Sequence, residues 1–216
     1  MRVTKSILLS ALVLASELSA GCMTGGEPDP SADELSSITS DVSTDRMHSV
    51  QIKSAINPAG TGKCMDVAGG YTSPGTPIVQ YACHQPAGAN QAFHLVLATV
   101  GLSTGATYQI VSNLDQTMCV GINIPSNRYY AVNNDLLVLK RCLDSTGNPV
   151  LDTKWIPVND RTFSSTPSIT ALESAAPSSP AALCIDVASG LDWDSLWLQT
   201  YQCHGGPNQQ WVITNL

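Results

Sequence analysis

Short runs of alternating apolar and polar residues, broken by Gly, Pro, Asn and Ser, fill the chain from about Val50 to its end. Runs of about four to eight residues bounded by such turn residues are typical of β-strands. The runs recur in the same order three times. Each set opens with one strand, continues with two strands that each carry a cysteine, and closes with an aromatic residue followed by apolar ones. This pattern predicts twelve strands in three repeats.

The strands of each repeat can be read from the sequence. The opening strands are predicted at SVQIKSA (49–55), TYQIVSN (107–113) and PSITALE (167–173). The first cysteine strands are KCMDV, MCVGI and LCIDV, and the second are PIVQYACH, LLVLKRCL and LWLQTYQCH. The closing strands are QAFHLV, TKWIPV and QQWVIT. Because one such unit cannot bury its aromatic face alone, the three must pack around a common axis, which predicts an all-β fold of the β-trefoil type.

Residues 1–22 follow a different pattern, that of a secretory signal peptide. Arg2 and Lys5 precede an apolar run from Ile7 to Ala15, and small residues follow. This run is too short to cross a bilayer, so we expect removal of the segment on export and not a membrane span.

The end of this segment leaves two routes open. Ser19-Ala20-Gly21-Cys22 resembles a bacterial lipobox, which would make Cys22 a lipidated N-terminus. Leu18 lies one position early for that pattern, and Glu17 stands where charges are usually absent. Ordinary signal-peptidase cleavage is the alternative. Both routes predict an exported bacterial protein, either secreted or held on the outer surface as a lipoprotein.

Residues 23–46 are acidic and rich in Ser, Thr and Pro, with few apolar side chains. Such a segment cannot bury enough surface to fold, so it is predicted to be a disordered linker. A short helix at SADEL is the competing interpretation. Residues 47–216 then form the folded domain.

Composition and charge narrow the partners. The net charge is −7 and only 12% of the residues are charged. No stripe of Lys and Arg occurs, so we expect no nucleic-acid partner, and membrane contact only through a lipid on Cys22. The chain is long enough to bury a core of its own, which favours a monomer.

The cysteines predict a disulfide framework. Setting Cys22 aside leaves six, in three close pairs separated by 19, 23 and 19 residues. Six cysteines allow 15 pairings, and the repeats favour the one that keeps each pair within its repeat. Export favours disulfides over metal binding, and no C-x-x-C occurs, so neither metal nor cofactor is expected. The expected bonds are Cys64–Cys83, Cys119–Cys142 and Cys184–Cys203.

The repeated motif carries a family resemblance. C-x-D-V, a second cysteine and N-Q-x-aromatic resemble the ricin-type β-trefoil lectins with their Q-x-W repeats, and the resemblance extends from Val50 to Leu216. It implies carbohydrate binding without catalysis, with glycans, guessed as galactose- or xylose-like, as partners. In repeat three it implies sugar contacts at Asp186, Gln199, Tyr201, His204 and Asn208. Repeat one matches it at Asp66, Tyr81, His84, Asn90 and Gln91, and Gln209 is expected to add an amide in repeat three.

The cysteines also suggest a strand register. If each cystine joined directly opposed residues, Asp66 would face Tyr81 and Asp186 would face Tyr201, because side chains two along share a face. A carboxylate accepts sugar hydroxyls while a ring packs on the apolar face of a pyranose. Repeat one has Val79 where repeat three has Gln199, so its site is expected to be weaker.

Repeat two is expected not to bind sugar. Gly121 and Lys140 replace the carboxylate and the ring, and Leu143 replaces the histidine. The amide pair is replaced by Asp152 and Thr153. Its disulfide and Trp155 would serve the fold whether or not a ligand binds, so we expect this repeat to be retained for structure.

Each candidate also has a structural alternative. The aspartates could cap turns, the tyrosines could be cross-strand packing, and Gln91 and Gln209 could hold strands together. Phe93, Trp155 and Trp211 are expected in the core, since the silent repeat shares their spacing. Trp197 lies on the parity of Tyr201, so it could widen the platform of repeat three or pack in the hairpin. The two histidines are expected at the rim, because no further metal ligand lies at metal spacing.

Two other functions remain open. One is a β-trefoil scaffold for protein contact, such as an inhibitor or a toxin-associated adhesion subunit, in which loops would carry the function. The other is an enzyme, which would need a nucleophile with its base or two suitably spaced carboxylates. The pattern G-x-S-x-G occurs once in the chain, as GLSTG at 101–105.

Overall fold

The computed structural model describes residues 49–57, 62–101, 105–158, 168–178 and 181–216. The predicted signal peptide (1–22), the linker (23–46) and Cys22 lie outside them. The described residues form thirteen β-strands and five single-turn 3-10 helices, with no α-helix among them. The prediction of an all-β β-trefoil is confirmed.

Each repeat has an opening strand, a hairpin and a closing strand. Repeat one contains β1 (Ser49–Ser54), β2 (Lys63–Val67), β3 (Ile78–Ala82) and β4 (Phe93–Gly101). Repeat two contains β5 (Gly105–Ser112), β6 (Met118–Ile122), β7 (Leu137–Arg141) and β8 (Lys154–Pro157). Repeat three contains β9 (Ser168–Thr170), β10 (Leu172–Ser174), β11 (Leu183–Val187), β12 (Leu196–Gln202) and β13 (Trp211–Asn215).

The thirteenth strand arises because the opening strand of repeat three is interrupted at Ala171. The part before the break, β9, pairs with β13 of its own repeat. The part after it, β10, pairs with β8 of repeat two. One predicted strand thus becomes two, each with a different neighbour.

The opening and closing strands form a ring. Each closing strand pairs with the opening strand of the next repeat, through β4–β5, β8–β10 and β13–β1. Each also pairs within its own repeat, through β1–β4, β5–β8 and β9–β13. Among the described strands, each repeat is thus paired with the next, and closure of this kind is how barrels cover their strand edges.

The three hairpins, β2–β3, β6–β7 and β11–β12, join the ring through β1, β5 and β10. They also pair with each other. Trp197 of β12 lies opposite Val79 of β3. Isolated bridges join Leu136 to Gln199 and Pro77 to Val138. Every hairpin therefore touches both of its neighbours, which brings side chains of different repeats together.

The closing aromatic residues lie in the core. Phe93, Trp155 and Trp211 are fully buried in a single apolar cluster drawn from all three repeats. Each buried indole N–H is satisfied, since Trp155 Nε1 donates to Val120 O at 3.0 Å and Trp211 Nε1 donates to Ile185 O at 3.2 Å. Buried polar groups need such partners, so these rings bury their area without an unpaired donor.

Candidate functional site

The strand register differs from the sequence prediction by two residues. The three disulfides join Cys64 to Cys83, Cys119 to Cys142 and Cys184 to Cys203, the pairing that the repeats favour. The cystines, however, join diagonal positions. Cys64 lies directly opposite Tyr81, and Cys184 lies opposite Tyr201. The prediction that each aspartate directly opposes a tyrosine is therefore wrong.

The reason is that the second cysteine lies just beyond the paired residues. Cys83 N donates to Gly62 O, two residues before the first cysteine, and Cys203 N donates to Ala182 O in the same way. The twist of the hairpin brings the diagonal Cα atoms of Cys64 and Cys83 to 5.0 Å. A shift of two residues keeps every side chain on its predicted face, so aspartate and tyrosine still share one.

In the observed register, a row of three paired positions crosses each hairpin and ends on the segment of another repeat that lies beside it. The first member is on the first cysteine strand, the second lies opposite it, and the third comes from another repeat. The rows are Asp66–Val79–Trp197, Gly121–Val138–Pro77 and Asp186–Gln199–Leu136.

The carboxylate of repeat three is buried and held by amides. Asp186 Oδ2 accepts hydrogen bonds from Asn208 Nδ2 at 2.6 Å and Gln209 Nε2 at 3.0 Å. Asp186 Oδ1 accepts one from Gln199 Nε2 at 3.2 Å. His204 Nε2 lies 3.6 Å from Oδ2. The groups around the carboxylate are all donors, which orients it as an acceptor toward a cleft of about 430 Å³.

Tyr201 and His204 form one wall of that cleft. Their ring centroids are 6.1 Å apart in an edge-on arrangement, and Tyr201 is 38% exposed. His204 Nδ1 accepts a hydrogen bond from Gly206 N at 3.1 Å, which places the proton of a neutral ring on Nε2, facing Asp186. The rest of the lining is polar and includes Asn134 and Ser189.

Repeat one repeats this arrangement with one amide fewer. Asp66 Oδ2 accepts hydrogen bonds from Asn90 Nδ2 and Gln91 Nε2, both at 2.8 Å. Val79 stands where Gln199 would donate to the other oxygen. Tyr81 is 39% exposed, and its ring centroid lies 6.0 Å from that of His84, again edge-on.

Trp197, which belongs to repeat three, forms a second aromatic wall in the cleft of repeat one. The volume of this cleft is about 510 Å³, and Trp197 and Ser195 of repeat three line it beside Asp66 and Tyr81. From its parity, Trp197 was expected either to widen the platform of its own repeat or to pack in the hairpin. In the structure it is 51% exposed and faces the cleft of repeat one.

Gln91 and Gln209 are fully buried and do not face solvent. The side chain of Gln91 donates to Asp66 and to Ala82 O, and its oxygen accepts from His84 N. Gln209 makes the equivalent three bonds with Asp186, Gln202 O and His204 N. Sugar contact and a role in holding the strands together were the two expectations for these glutamines, and in the structure each buried side chain hydrogen-bonds the aspartate of its repeat. Asp66, Tyr81, His84, Asn90, Asp186, Gln199, Tyr201, His204 and Asn208 do line a cleft.

Sequence reasoning missed the residues that each cleft takes from a neighbouring repeat. Asn134, from the loop before β7, lines the cleft of repeat three and adopts a positive φ of 68°. Its backbone N–H donates to Thr200 O at 2.7 Å, which ties the loop to β12. The signal that could have found it is the three-fold symmetry itself, because each pre-strand loop must lie against the next hairpin.

Burial raises the pKa of both candidate carboxyls above the usual aspartate range. For Asp186 desolvation is the largest cause of the raised pKa, and hydrogen bonds from Gln209 and Gln199 and the neighbouring His204 oppose it. For Asp66 desolvation is again the largest, opposed by Gln91, Asn90 and His84. A raised pKa at a cleft is a feature of functional carboxyls, since burial disfavours the charged form.

In repeat two the carboxylate is that of Asp152, on the 3-10 helix and not on the first cysteine strand, and it is paired with a lysine. Lys140 Nζ pairs with Asp152 Oδ2 and donates to Ile122 O at 3.2 Å. Asp152 occupies the position of Asn90 in its 3-10 helix, while Gly121 leaves the strand position empty. Thr153 fills that space, since its Cγ2 would lie 2.8 Å from a Cβ added to Gly121.

We expect Gly121→Ala to destabilise the protein without changing ligand binding by repeats one and three. The added Cβ would lie 2.8 Å from Thr153 Cγ2 and 3.2 Å from Asp152 O, both closer than normal contact. Overpacking of this kind costs about 1–3 kcal/mol of unfolding free energy. Urea unfolding measures the change, and binding assays on the folded variant check the rest. A variant as stable as wild type would show that Thr153 and the 3-10 helix can move aside.

Metal and membrane features can be assessed for the same residues. Within the described ranges, no group of three or more His, Cys, Asp or Glu side chains is arranged to hold a metal ion. In that part of the chain, no helix has the length and apolar character needed to span a membrane.

Comparison with known proteins agrees with the repeats. Residues 44–132 match the family model described as ricin-type beta-trefoil lectin domain-like. The resemblance inferred from the C-x-D-V and Q-x-W motifs is thereby confirmed. Among curated proteins, none matches the chain.

Solved structures share the fold. A designed 3-fold symmetric protein, ThreeFoil, is 19% identical with a TM-score of 0.56, over 78% of this chain and 99% of its own. The earthworm R-type lectin C-half, solved with GalNAc, is 16% identical with a TM-score of 0.51, over 78% and 99%. An exo-beta-1,3-galactanase from Clostridium thermocellum is 18% identical with a TM-score of 0.59, over 80% of this chain but 31% of its own.

Proposed function

Because this chain has a ricin-type β-trefoil lectin-like fold, we propose that it binds carbohydrate and catalyses no reaction on it. Repeats one and three each carry a site, and repeat two carries none. The observation that supports this most is the same buried aspartate, fixed by a pair of amides and open to a cleft beside a half-exposed tyrosine, in both repeats.

The chemistry of the two clefts suits a pyranose. An ionised carboxylate accepts hydrogen bonds from two neighbouring hydroxyls, and such charge-assisted bonds are about twice as strong as neutral ones. The exposed ring of Tyr81 or Tyr201 offers an apolar face for the C–H side of the sugar. His84 and His204, edge-on to these rings, offer a further hydrogen-bonding group at the rim.

Galactose- or xylose-like sugars are the ligand class of this proposal. The earthworm protein of similar fold was solved with GalNAc, a sugar of galactose type. Repeat three, with Gln199 beside Asp186, supplies more polar contacts and is the stronger site for a single sugar. Each site is open and shallow, so affinity per site is modest, and a multivalent glycan gains from engaging both.

The clefts support binding better than hydrolysis. Glycosidases use two carboxyl groups flanking the scissile bond, about 5–9.5 Å apart. The cleft of repeat one is lined by the single carboxyl of Asp66, and that of repeat three by the single carboxyl of Asp186, among the residues the structure describes. Each carboxyl is also surrounded by amide donors that hold it as an acceptor.

The proposal places the protein outside the bacterial cytoplasm. Three disulfides in the folded domain suit an oxidising compartment, and residues 1–22 have the pattern of an export signal. The mature protein is then a monomer, either secreted or attached to the outer surface through a lipid on Cys22. Mass spectrometry of the mature N-terminus separates these two forms.

A glycan array with the full mature chain tests the function. We expect galactose- or xylose-terminated glycans to be retained by wild type and lost by the double variant Asp66→Ala/Asp186→Ala. A protein that captures glycans equally well without either aspartate would refute the assigned sites, and one that captures no glycan at all would refute the function.

Sugar binding should weaken as the pH falls, and the loss should begin above the usual aspartate range. Desolvation raises the pKa of Asp186 and Asp66 from 3.8, so the carboxylates take up protons at a higher pH than an exposed aspartate does. A protonated carboxyl loses its charge and turns one acceptor oxygen into a donor, so its hydrogen bonds with sugar hydroxyls become weaker. Calorimetric titrations at decreasing pH, with thermal unfolding run alongside, measure this. Affinity that stays constant down to pH 3.8 would contradict it.

A further inference from the structure

The two candidate sites differ in the outer two members of their cross-strand rows. In repeat three the buried aspartate is followed by Gln199 and Leu136, and in repeat one by Val79 and Trp197. Repeat one has therefore lost an amide and gained an indole from another repeat. The exchange alters the chemistry of the cleft as well as its strength.

The lining of the two clefts follows this difference. Ala68, Pro77, Val79, Tyr81 and Trp197 give the cleft of repeat one an apolar character. The corresponding cleft of repeat three is lined by Asn134, Ser189, Gln199 and Asn208 around its aspartate. The first cleft is also the larger of the two, at about 510 Å³ against about 430 Å³.

Trp197 is held in place by the loop that precedes it. Asp194 Oδ1 accepts hydrogen bonds from Lys63 Nζ and from Ala82 N, both at 2.7 Å. Gln80 Nε2 donates to the carbonyls of Leu191 and Trp193 at 2.7 and 2.8 Å. Ser195 N donates back to Gln80 O at 2.9 Å. These bonds fix a repeat-three loop to repeat one, so the backbone that carries the indole is already positioned when a ligand arrives.

The side chains of Tyr81 and Trp197 are spaced so that each can contact one of two linked sugar rings. Trp197 lies directly opposite Val79 on the neighbouring strand, and Tyr81 is two residues along from Val79 on the same face. Diagonal neighbours of this kind are about 7–8 Å apart. A sugar that rests on Tyr81 and bonds Asp66 would leave Trp197 uncovered, and a second linked ring can cover it.

We propose that repeat one binds saccharides of two or more linked pyranoses, with Tyr81 and Asp66 holding one ring and Trp197 holding the next. Repeat three, whose cleft is lined by Tyr201 but not by a tryptophan among the described residues, binds one terminal sugar. Trp197 is on this view the residue that determines the length preference of a site in another repeat. The proposal rests on the proposed carbohydrate-binding function.

The test isolates repeat one by using the full chain with Asp186→Ala. Galactose, lactose, xylose and xylobiose are titrated by calorimetry in this background. We expect the better-bound disaccharide to exceed its monosaccharide by about tenfold in affinity, the size of one aromatic contact. Adding Trp197→Ala should remove this ratio, while Trp197→Phe should restore part of it.

Trp193→Ala is the matched control. Trp193 is in the same loop and is 65% exposed, and its backbone carbonyl accepts a hydrogen bond from Gln80 Nε2. The disaccharide preference should survive this substitution. Tryptophan emission gives a second readout, because disaccharide should shift it to the blue in the Asp186→Ala protein and in Trp193→Ala but not in Trp197→Ala.

The outcomes separate this inference from the function on which it rests. Binding that depends on Asp66 but shows equal affinity for one ring and two, or that is unaffected by Trp197→Ala, would overturn the two-ring site and keep the lectin. Loss of monosaccharide and disaccharide binding in equal measure with Trp197→Ala, in a protein that unfolds at the wild-type temperature, would also overturn it. Absence of any sugar binding would overturn the proposed function itself, and binding that survives Asp66→Ala in the Asp186→Ala background would refute the assigned sites.

Discussion

Asp186→Ala is expected to reduce the affinity of repeat three for galactose or xylose by roughly 100-fold, or about 2.8 kcal/mol. The substitution removes both hydrogen-bond acceptors that face the cleft. It also leaves the amides of Asn208, Gln209 and Gln199 without their common partner. Titration of the Asp66→Ala protein, with and without Asp186→Ala, measures the effect on this site alone.

Asp186→Asn sharpens the test. The shape of the side chain is kept, but one oxygen becomes a donor in a place where the neighbouring groups already donate. We therefore expect binding to be nearly as weak as with alanine. Circular dichroism and thermal unfolding show whether each variant is folded. If folded Asp186→Asn binds sugar like wild type, the carboxylate is not the group that recognises the ligand.

Within a wild-type background, Asp186→Ala should weaken retention of single sugars more than Asp66→Ala does. The reason is the additional amide of Gln199, which Val79 cannot supply. For disaccharides the two variants should become more similar, because Trp197 contributes only to the cleft that contains Asp66.

Trp155→Ala is expected to lower the free energy of unfolding by about 3–5 kcal/mol, although its repeat binds no sugar in the proposed function. The indole is fully buried in the core shared by all three repeats, and it donates to Val120 O. Truncation opens a large cavity and leaves that carbonyl without its partner. A loss of this size is a large part of the roughly 5–15 kcal/mol by which an ordinary domain is stable.

Urea unfolding of the oxidised protein measures this loss. Trp193→Ala is the control of the same residue type, because its side chain is 65% exposed, and it should change stability by no more than about 0.5 kcal/mol. A Trp155→Ala protein within about 1 kcal/mol of wild type would show that repeat two does not support the common core. Any folded fraction of the variant should still bind sugar through the other two repeats.

Much of the fold follows from local pattern. Short alternating runs, turn residues and three copies of one motif predicted a β-trefoil, because strand formation and repeat packing depend on periodicity. Cysteine spacing indicated which sulfurs are joined. Side-chain alternation also predicts that Asp66 lies on the same face as Tyr81, and Asp186 on the same face as Tyr201. A shift of two residues in the register leaves this unchanged.

The split of the repeat-three opening strand at Ala171 was not predictable in this way. Its two parts pair with strands of different repeats, and no local run of residues encodes that choice. The burial of Gln91 and Gln209 is similar, since an amide beside a candidate aspartate has the same appearance in sequence whether it faces solvent or the protein.

The sequence by itself determined the class of the fold, the disulfide partners and the two aspartate-containing repeats, because these are properties of a single repeat and its period. Only the tertiary structure decided that Trp197 lines the cleft of repeat one and that Asn134 lines the cleft of repeat three. Each comes from a different repeat, 131 residues along the chain from Asp66 for Trp197 and 52 residues from Asp186 for Asn134. Packing three hairpins around one axis brings each against the next, and that contact exists only once the ring of strands has closed.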